Sequence, residues 1–456
     1  MSFAVCTCRR SPVALAVVAA LLAGCSPSPN ELGDSAASDA IVDSSTPESA
    51  ATSDDVSAST TIASPATAVS APQGTTSTKA RLPEELPANG DLYAVPDELP
   101  DEPHGTLLRY QEVTPSLHTD STTWRMMYLS ESVAGDPIVV TGLAVVPEAP
   151  APPDGRNVVT LTHGTTGSAD ECAPSKEPSG AGELSLLGPS VVDGSIIAAT
   201  DYEGMGTPGA HPYLVGISEG RSGLDAALAA RQLPRAEAGT QLGVMGYSQG
   251  GHAAMWTAQL AEEWAPELDL VGTFAGAPPT EISLIIDANL AGGASSFIYL
   301  LIAGFAEAYG EEADPATFFS PAGLRDFDLA DELCVGDLFG ALADVDADAY
   351  LPEAGSQAPW SDLARLNDAG RVIVDAPLLI IHSAVDETVP AALSEIASNR
   401  LCSLGQVLER RVPPEGSHSG AAPPAYEAAQ AWMQARFDGT GPDVVDTCPD
   451  GRGFGG

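Results

Sequence analysis

The chain has 456 residues and 44% hydrophobic content, which is enough for one large core and too long for a small disulfide scaffold. Nineteen Lys and Arg against 62 Asp and Glu leave a net charge of -43, a field that repels phosphate backbones and excludes nucleic acid as a partner. A salt-tolerant or simply highly soluble surface has the same balance, so the acidity by itself points to no function.

The first segment is an address. Arg9 and Arg10 precede an apolar run from Val13 to Ala23, the layout of a secretory signal peptide and too short for the roughly 20 residues that span a bilayer. The run ends in Leu22-Ala23-Gly24-Cys25, which resembles the lipobox of bacterial lipoproteins. Removal of residues 1–24 would leave Cys25 first and lipid-modified, and several acyl chains together anchor stably where one does not. The expectation is an exported protein held on the outer face of the bacterial cell membrane through lipid on Cys25. A plain signal peptide with a chance cysteine is the alternative. From Ser26 to Ala80, Ser, Thr and Ala fill 32 of 55 positions without one aromatic residue, so the segment cannot bury enough apolar surface to offset its ordering entropy. Residues 25–82 are therefore expected to be a disordered tether and 83–456 the folded domain.

Cysteine use fits export. Apart from Cys6, Cys8 and Cys25, the chain holds Cys172, Cys334, Cys402 and Cys448, an even number for which three pairings exist. Two structural disulfides are expected. No CxxC or His/Cys cluster points to a metal, and neither a metal nor a cofactor is expected.

From about Tyr93 short apolar runs alternate with helical stretches, the pattern of an α/β sheet with crossovers. Thr123 to Leu129 and Pro137 to Val146 read as an antiparallel pair around Gly135. Asn157 to Thr162, Ser195 to Thr200, Leu242 to Tyr247, Leu270 to Ala275 and Leu378 to His382 read as buried strands. Gly220 to Leu233 and Gly251 to Trp264 have helical periodicity. An eight-stranded, mostly parallel sheet is predicted. The stretch from Pro278 to about Gly370 is too long for a crossover loop and predicts an inserted helical cap at 278–370. Within it, Phe297 to Ala306 is the most apolar helical segment in the chain. Asp287 and Glu307 bound it too closely for a membrane span, which leaves an acyl-binding lining of Phe297, Leu301 and Phe305 or an ordinary core helix.

Gly246-Tyr247-Ser248-Gln249-Gly250 sits between a strand and a helix, the context of a nucleophile elbow, in which flanking glycines tolerate the strained serine. A serine hydroxyl is a weak nucleophile, so a histidine must take its proton and a carboxylate must orient that histidine. Downstream of Ser248 stand His252, His382 and His418. His252 lies one turn along the elbow helix and reads as a packing residue, and His382 lies inside a strand. His418, in the small loop Gly416-Ser417-His418-Ser419-Gly420 ahead of a helix around Tyr426 to Phe437, is the expected base. Asp386 follows the strand Leu378 to His382 at its carboxyl end, where catalytic groups gather in open α/β sheets, and is the expected acid. Glu387 is its rival, and Asp375 lies at the wrong end of the strand. Oxyanion donors are expected from the backbone N–H of Gln249 and from His163-Gly164-Thr165-Thr166-Gly167, with Thr165 first and Thr166 second. His163 itself reads as shaping that loop.

With these residues placed, the chain resembles the secretory lipase family of α/β-hydrolases, the lipase A type. The resemblance runs from about Tyr93 to Phe437. It rests on the 163–167 loop leading to Cys172-Ala173-Pro174-Ser175, on Asp201-Tyr202-Glu203-Gly204-Met205-Gly206, on the elbow at 246–251, and on Asp386 and His418. It implies a serine esterase or lipase with a cap inserted before the strand that carries the acid. It also implies bonds from Cys172 to Cys334 and from Cys402 to Cys448. The leading expectation is hydrolysis of fatty-acid esters. An envelope acyltransferase would use the same acyl-enzyme, and a silent lipid-binding surface lipoprotein is the reading from another class, disfavoured by the intact triad.

Overall fold

The computed structural model describes residues 81–178, 182–187, 194–292, 294–439 and 445–448. The leader, Cys25 and the tether up to residue 80 lie outside the described residues. Ten strands form one sheet: β1 Glu84–Leu86, β2 Leu107–Val113, β3 Ser121–Glu131, β4 Pro137–Pro147, β5 Arg156–Thr162, β6 Ser195–Thr200, β7 Ala238–Tyr247, β8 Asp269–Gly276, β9 Leu378–Ile381 and β10 Leu408–Arg411. Their order is β1-β2-β3-β4-β6-β5-β7-β8-β9-β10. β2 to β4 and the β4/β6 pair are antiparallel, and the other pairings are parallel.

The helices are α1 Gly216–Ala230, α2 Gln249–Trp264, α3 Ile282–Leu290, α4 Ser295–Tyr309, α5 Leu329–Glu332, α6 Val335–Ala341, α7 Trp360–Leu366, α8 Ala391–Leu404 and α9 His418–Phe437. Successive strand residues face opposite sides, so Val158 and Val244 pack with Leu224 and Ala254 of α1 and α2, while Val159 and Met245 pack with Tyr426 and Met433 of α9. The sheet is thereby covered on both faces, which is why its central strands read as continuous apolar runs.

The sheet is wider than the eight strands expected. β1 and β10 are short edges carrying Glu84, Glu85, Glu409, Arg410 and Arg411, charges that blunt edge pairing and erase the apolar signal of a strand. β2 was also not among the strands expected from the sequence. α1 starts a turn earlier than its periodicity suggests, because its glycines are packing residues: a Cβ at Gly216 would lie 2.0 Å from Trp256 Cε2 of α2. Each interior glycine costs about 1 kcal/mol of helix propensity but lets the two helices touch.

Between β8 and β9 the chain runs through α3 to α7 and several short 3-10 turns. These elements bury an apolar cluster of their own, containing Tyr299, Leu301, Phe305, Phe318, Phe319 and Trp360, joined by Tyr213, Leu214 and Val215 from the segment before α1. Among the described residues no helix is long and apolar enough to cross a membrane. Two disulfides are present among the described residues. Cys172–Cys334 ties the segment after β5 to the α5–α6 junction, beside an antiparallel bridge from Gly167 to Cys334, and Cys402–Cys448 ties α8 to the carboxyl-terminal segment.

Candidate active site

The carboxyl ends of the central strands are in register: Thr162 of β5 pairs with Gly246 of β7, Tyr247 with Gly276 of β8, and Gly276 with Ile381 of β9. The segments leaving these ends therefore meet along one edge of the sheet. Ser248 leaves β7 there with φ 59° and ψ -126°, a strained conformation for a non-glycine residue, and its N–H donates to the Gly276 carbonyl at 2.8 Å. Close approach accounts for the neighbouring glycines, since a Cβ at Gly250 would lie 2.0 Å from the Thr162 carbonyl oxygen.

His418 Nε2 stands 2.9 Å from Ser248 Oγ, and His418 Nδ1 stands 2.7 Å from Asp386 Oδ2. His418 is the first residue of α9, not part of a loop ahead of it. Ser417 caps the helix by accepting from Gly420 N–H at 3.1 Å, and the helix continues through Pro423 and Pro424, whose missing N–H groups cannot donate to the Ser419 and Gly420 carbonyls one turn earlier. Those prolines are what hid the first two turns from a sequence reading.

The two candidate acids hold different parts of the same residue. Asp386 meets the imidazole, and Glu387 Oε2 accepts from the backbone N–H of His418 at 3.0 Å, at the positive end of α9. Asp386 Oδ1 accepts from Thr388 N–H and Val389 N–H at 2.9 and 2.8 Å. Burial opposes ionisation of Asp386, but hydrogen bonds from His382, His418 and Val389 outweigh it and hold the carboxyl well below the usual range. His382, just past β9, bonds Ser394 Oγ and the Val389 carbonyl, both at 2.8 Å, and lies 3.5 Å from Asp386 Oδ2.

On the other side of Ser248 lies the 163–167 loop. A Cβ at Gly164 would sit 3.6 Å from Ser248 Cβ. Thr165 Oγ1 hydrogen-bonds Tyr213 OH at 2.9 Å, whereas the Thr166 hydroxyl is buried with no partner and the Thr166 carbonyl accepts from Val335 N–H at 2.8 Å. His163 Nδ1 donates to the Gly164 carbonyl at 2.7 Å, its own carbonyl accepts from Tyr202 OH at 2.9 Å, and burial pushes its imidazole below the ordinary range. Two motifs that follow this loop in the chain meet each other. Asp201 accepts from the Ser175 N–H at 2.9 Å, from the Ser175 hydroxyl, and from Thr141 Oγ1 at 2.7 Å.

Gln249, the first residue of α2, is fixed from below by groups that the sequence did not single out. Its Nε2 donates to Glu219 Oε1 at 2.9 Å and to His211 Nε2 at 2.8 Å. Glu219 Oε2 pairs with His252 Nδ1 at 2.7 Å, both side chains having no exposure, and His252 Nε2 donates to the Asn367 carbonyl at 2.7 Å. His252 and Glu219 thus form a buried, hydrogen-bonded pair. Burial disfavours its charge, but Glu219 and the Asn367 carbonyl outweigh burial and hold the imidazole above its ordinary range. No local motif marks Glu219: its carboxylate accepts from the Leu214 N–H five residues away at 3.1 Å, but Gln249 and His252 lie 30 and 33 residues away.

Phe297, Leu301 and Phe305 all lie on α4. Leu301 and Phe305 are 2% and 0% exposed within the cluster formed by α3 to α7, and Phe297 packs edge-on against Phe339 with ring centroids 5.1 Å apart. Among the described residues no group of three or more His, Cys, Asp or Glu is placed to hold a metal ion.

Residues 179–444 match the secretory lipase family. The chain belongs to that family. A secreted triacylglycerol lipase of Malassezia globosa is 27% identical over 380 residues, covering 78% of this chain and 82% of the relative. Among solved structures, Candida antarctica lipase A in its closed state aligns with a TM-score of 0.67 at 18% identity, covering 79% of this chain and 88% of that one. The rice cell wall degrading esterase of Xanthomonas oryzae aligns with a TM-score of 0.61 at 19% identity, covering 75% and 99%. Those two likenesses establish the α/β-hydrolase fold. This member of the secretory lipase family is a carboxylic ester hydrolase.

Proposed function

We propose that the protein hydrolyses fatty-acid esters through an acyl-enzyme on Ser248. The observation that carries this reading is the continuous relay from Ser248 Oγ through His418 to Asp386, at 2.9 and 2.7 Å, on the strained elbow. His418 Nε2 takes the hydroxyl proton as Ser248 attacks the ester carbonyl. Asp386 holds the Nδ1–H tautomer and offsets the imidazolium that forms. The oxyanion is met by the backbone N–H of Gln249 and by the loop at Thr165, each donor contributing about 2.7–4 kcal/mol in the transition state. His418 then protonates the leaving alcohol, and water, deprotonated by the same imidazole, releases the acid.

The acyl chain is proposed to lie under the α3–α7 cap, near Phe297, Leu301 and Phe305 on α4. Support comes from Tyr213, which belongs to the same apolar cluster and hydrogen-bonds Thr165 of the loop over Ser248. Each buried methylene of the acyl chain gains about 0.8 kcal/mol, which favours medium or long acyl groups over acetate. The secreted relative and the two disulfides support export, and the Leu22-Ala23-Gly24-Cys25 sequence supports attachment to the outer face of the membrane through lipid on Cys25.

The test is labelling with an active-site fluorophosphonate followed by peptide mapping, together with product analysis on a nitrophenyl ester series with and without an added alcohol. Modification of Ser248 and release of free acid are expected. An unlabelled Ser248 overturns the mechanism, and predominant transfer to the alcohol makes the protein an acyltransferase.

A further inference from the structure

Glu183 stands on the 3-10 turn Gly182–Leu186, and its hydrogen bonds go to Gly164 and Tyr426 rather than to Ser248, His418 or Asp386. Its carboxyl group joins two elements that do belong to the site. Oε1 accepts from the N–H of Gly164 at 3.0 Å, and Oε2 accepts from Tyr426 OH at 2.6 Å. Gly164 begins the loop at Thr165 and Thr166, and the space above its Cα is closed on both sides: a Cβ there would lie 2.6 Å from Glu183 Oε1 and 3.2 Å from the Tyr247 carbonyl oxygen. Tyr426 lies on α9, the helix whose first residue is His418. The same end of α9 is held again at the elbow, where Tyr247 OH donates to the His418 carbonyl at 2.8 Å.

We propose that Glu183 is a positioning residue of the hydrolysis: its carboxyl clamps the Gly164 amide to Tyr426, fixing the oxyanion loop relative to the helix that carries His418. The proposal rests on the acyl-enzyme reading above. Glu183 and Tyr426 are 243 residues apart in the chain, and loop and helix must both be placed against Ser248 to within a fraction of an ångström for attack and oxyanion capture to coincide. A carboxyl suits the task because it works in either protonation state. Burial raises Glu183 to about 7, against the lowering effect of Tyr426 and Gly164. Ionised, it accepts from both groups. Protonated, it accepts from Gly164 N–H through one oxygen and donates to the Tyr426 oxygen through the other. A glutamine in its place keeps both partners, its oxygen accepting from Gly164 N–H and its amide nitrogen donating to the Tyr426 oxygen, whereas alanine or leucine makes neither bond.

The experiment compares Glu183→Gln, Glu183→Ala, Glu183→Leu and Tyr426→Phe in the full chain. Hydrolysis of nitrophenyl butyrate is expressed per serine titrated by a fluorophosphonate, so that misfolded molecules are not counted. For Glu183→Ala and Glu183→Leu, kcat per titrated serine should fall by about 30-fold or more, part of the roughly 100-fold that a misplacement of 1 Å can cost, with KM within about threefold. Glu183→Gln should restore kcat to within about threefold of the parent protein, and Tyr426→Phe should fall between. Unchanged kcat per titrated serine in Glu183→Ala and Glu183→Leu overturns the clamp. So does a Gln variant as impaired as the Ala variant. Should neither truncation yield folded protein, Glu183→Gln and Tyr426→Phe decide: full activity in both overturns the clamp, and a loss of kcat in Tyr426→Phe alone supports it. If the parent protein's Ser248 does not react with the fluorophosphonate, the acyl-enzyme reading has failed, which is separate from any result at residue 183.

Discussion

His418 and Ser248 are 170 residues apart in the chain and 2.9 Å apart between Nε2 and Oγ. The α3–α7 cap between β8 and β9 is inserted without disturbing that contact, because the segments carrying both residues leave the same edge of the sheet. Replacing Ser248 with Ala should lower kcat by roughly 10⁴-fold or more with no change in the urea midpoint, since the hydroxyl makes the covalent bond and little packing. Adding His418→Ala should cost hardly more, as the two act as a unit. Residual activity above about a hundredth of the parent protein, measured with the serine-free variant, would remove Ser248 from the mechanism.

The two neighbouring acids separate by what they hold. Asp386→Asn should lose about 10⁴-fold in kcat, because the imidazole tautomer is no longer fixed. Glu387→Gln should lose at most about threefold, because an amide oxygen still accepts from the His418 N–H. The reverse ranking in steady-state kinetics would reassign the acid.

Asp386 also gives a pH signature in stability. Its carboxyl is held below the usual range in the folded state, so its contribution is present above the unfolded value near pH 4 and is lost as the pH falls through the folded value. Urea unfolding followed between about pH 6 and pH 3 should show a shallower decline in Asp386→Asn than in the parent protein.

The Glu219–His252 pair beneath Gln249 is predicted to be structural and expensive to break. Removing one partner leaves an uncompensated buried charge, so Glu219→Gln or His252→Ala should cost about 3–5 kcal/mol by urea unfolding. His252 is raised above its unfolded value. Its contribution is complete below about pH 6.5 and is lost as the pH rises through the folded value. A variant as stable as the parent protein would mean that the pair is not ionised.

Leu301→Ala should destabilise the protein by about 2–5 kcal/mol, since the side chain is buried in the α3–α7 cluster. If the proposed acyl site includes it, the preference for octanoyl over acetyl nitrophenyl esters should also fall severalfold. An equal loss on every chain length would leave α4 with a packing role alone.

Cys25→Ser should abolish incorporation of labelled palmitate in a bacterial host and leave unprocessed precursor. Labelled protein persisting in that variant would refute the lipid attachment.

The central strands and the elbow could be read in the sequence because each is local. A buried parallel strand is a continuous apolar run, and Gly246-Tyr247-Ser248-Gln249-Gly250 carries its strain in its own glycines. Asp386 was legible for a related reason, since it follows directly on an apolar strand. What carries no local signal was left to the tertiary structure. β1 and β10 are defined only by the strands they pair with, their own residues being mostly charged. The start of α9 at His418 depends on a Ser417 cap that tolerates the prolines behind it. Glu219, His252 and Glu183 are ordinary acids and a histidine in sequence, and acquire their partners only when α1, α2, α9 and the 163–167 loop are packed together. Short-range patterns fix which segments are strands, helices and elbow, but a buried polar group takes its meaning from neighbours that only long-range packing supplies.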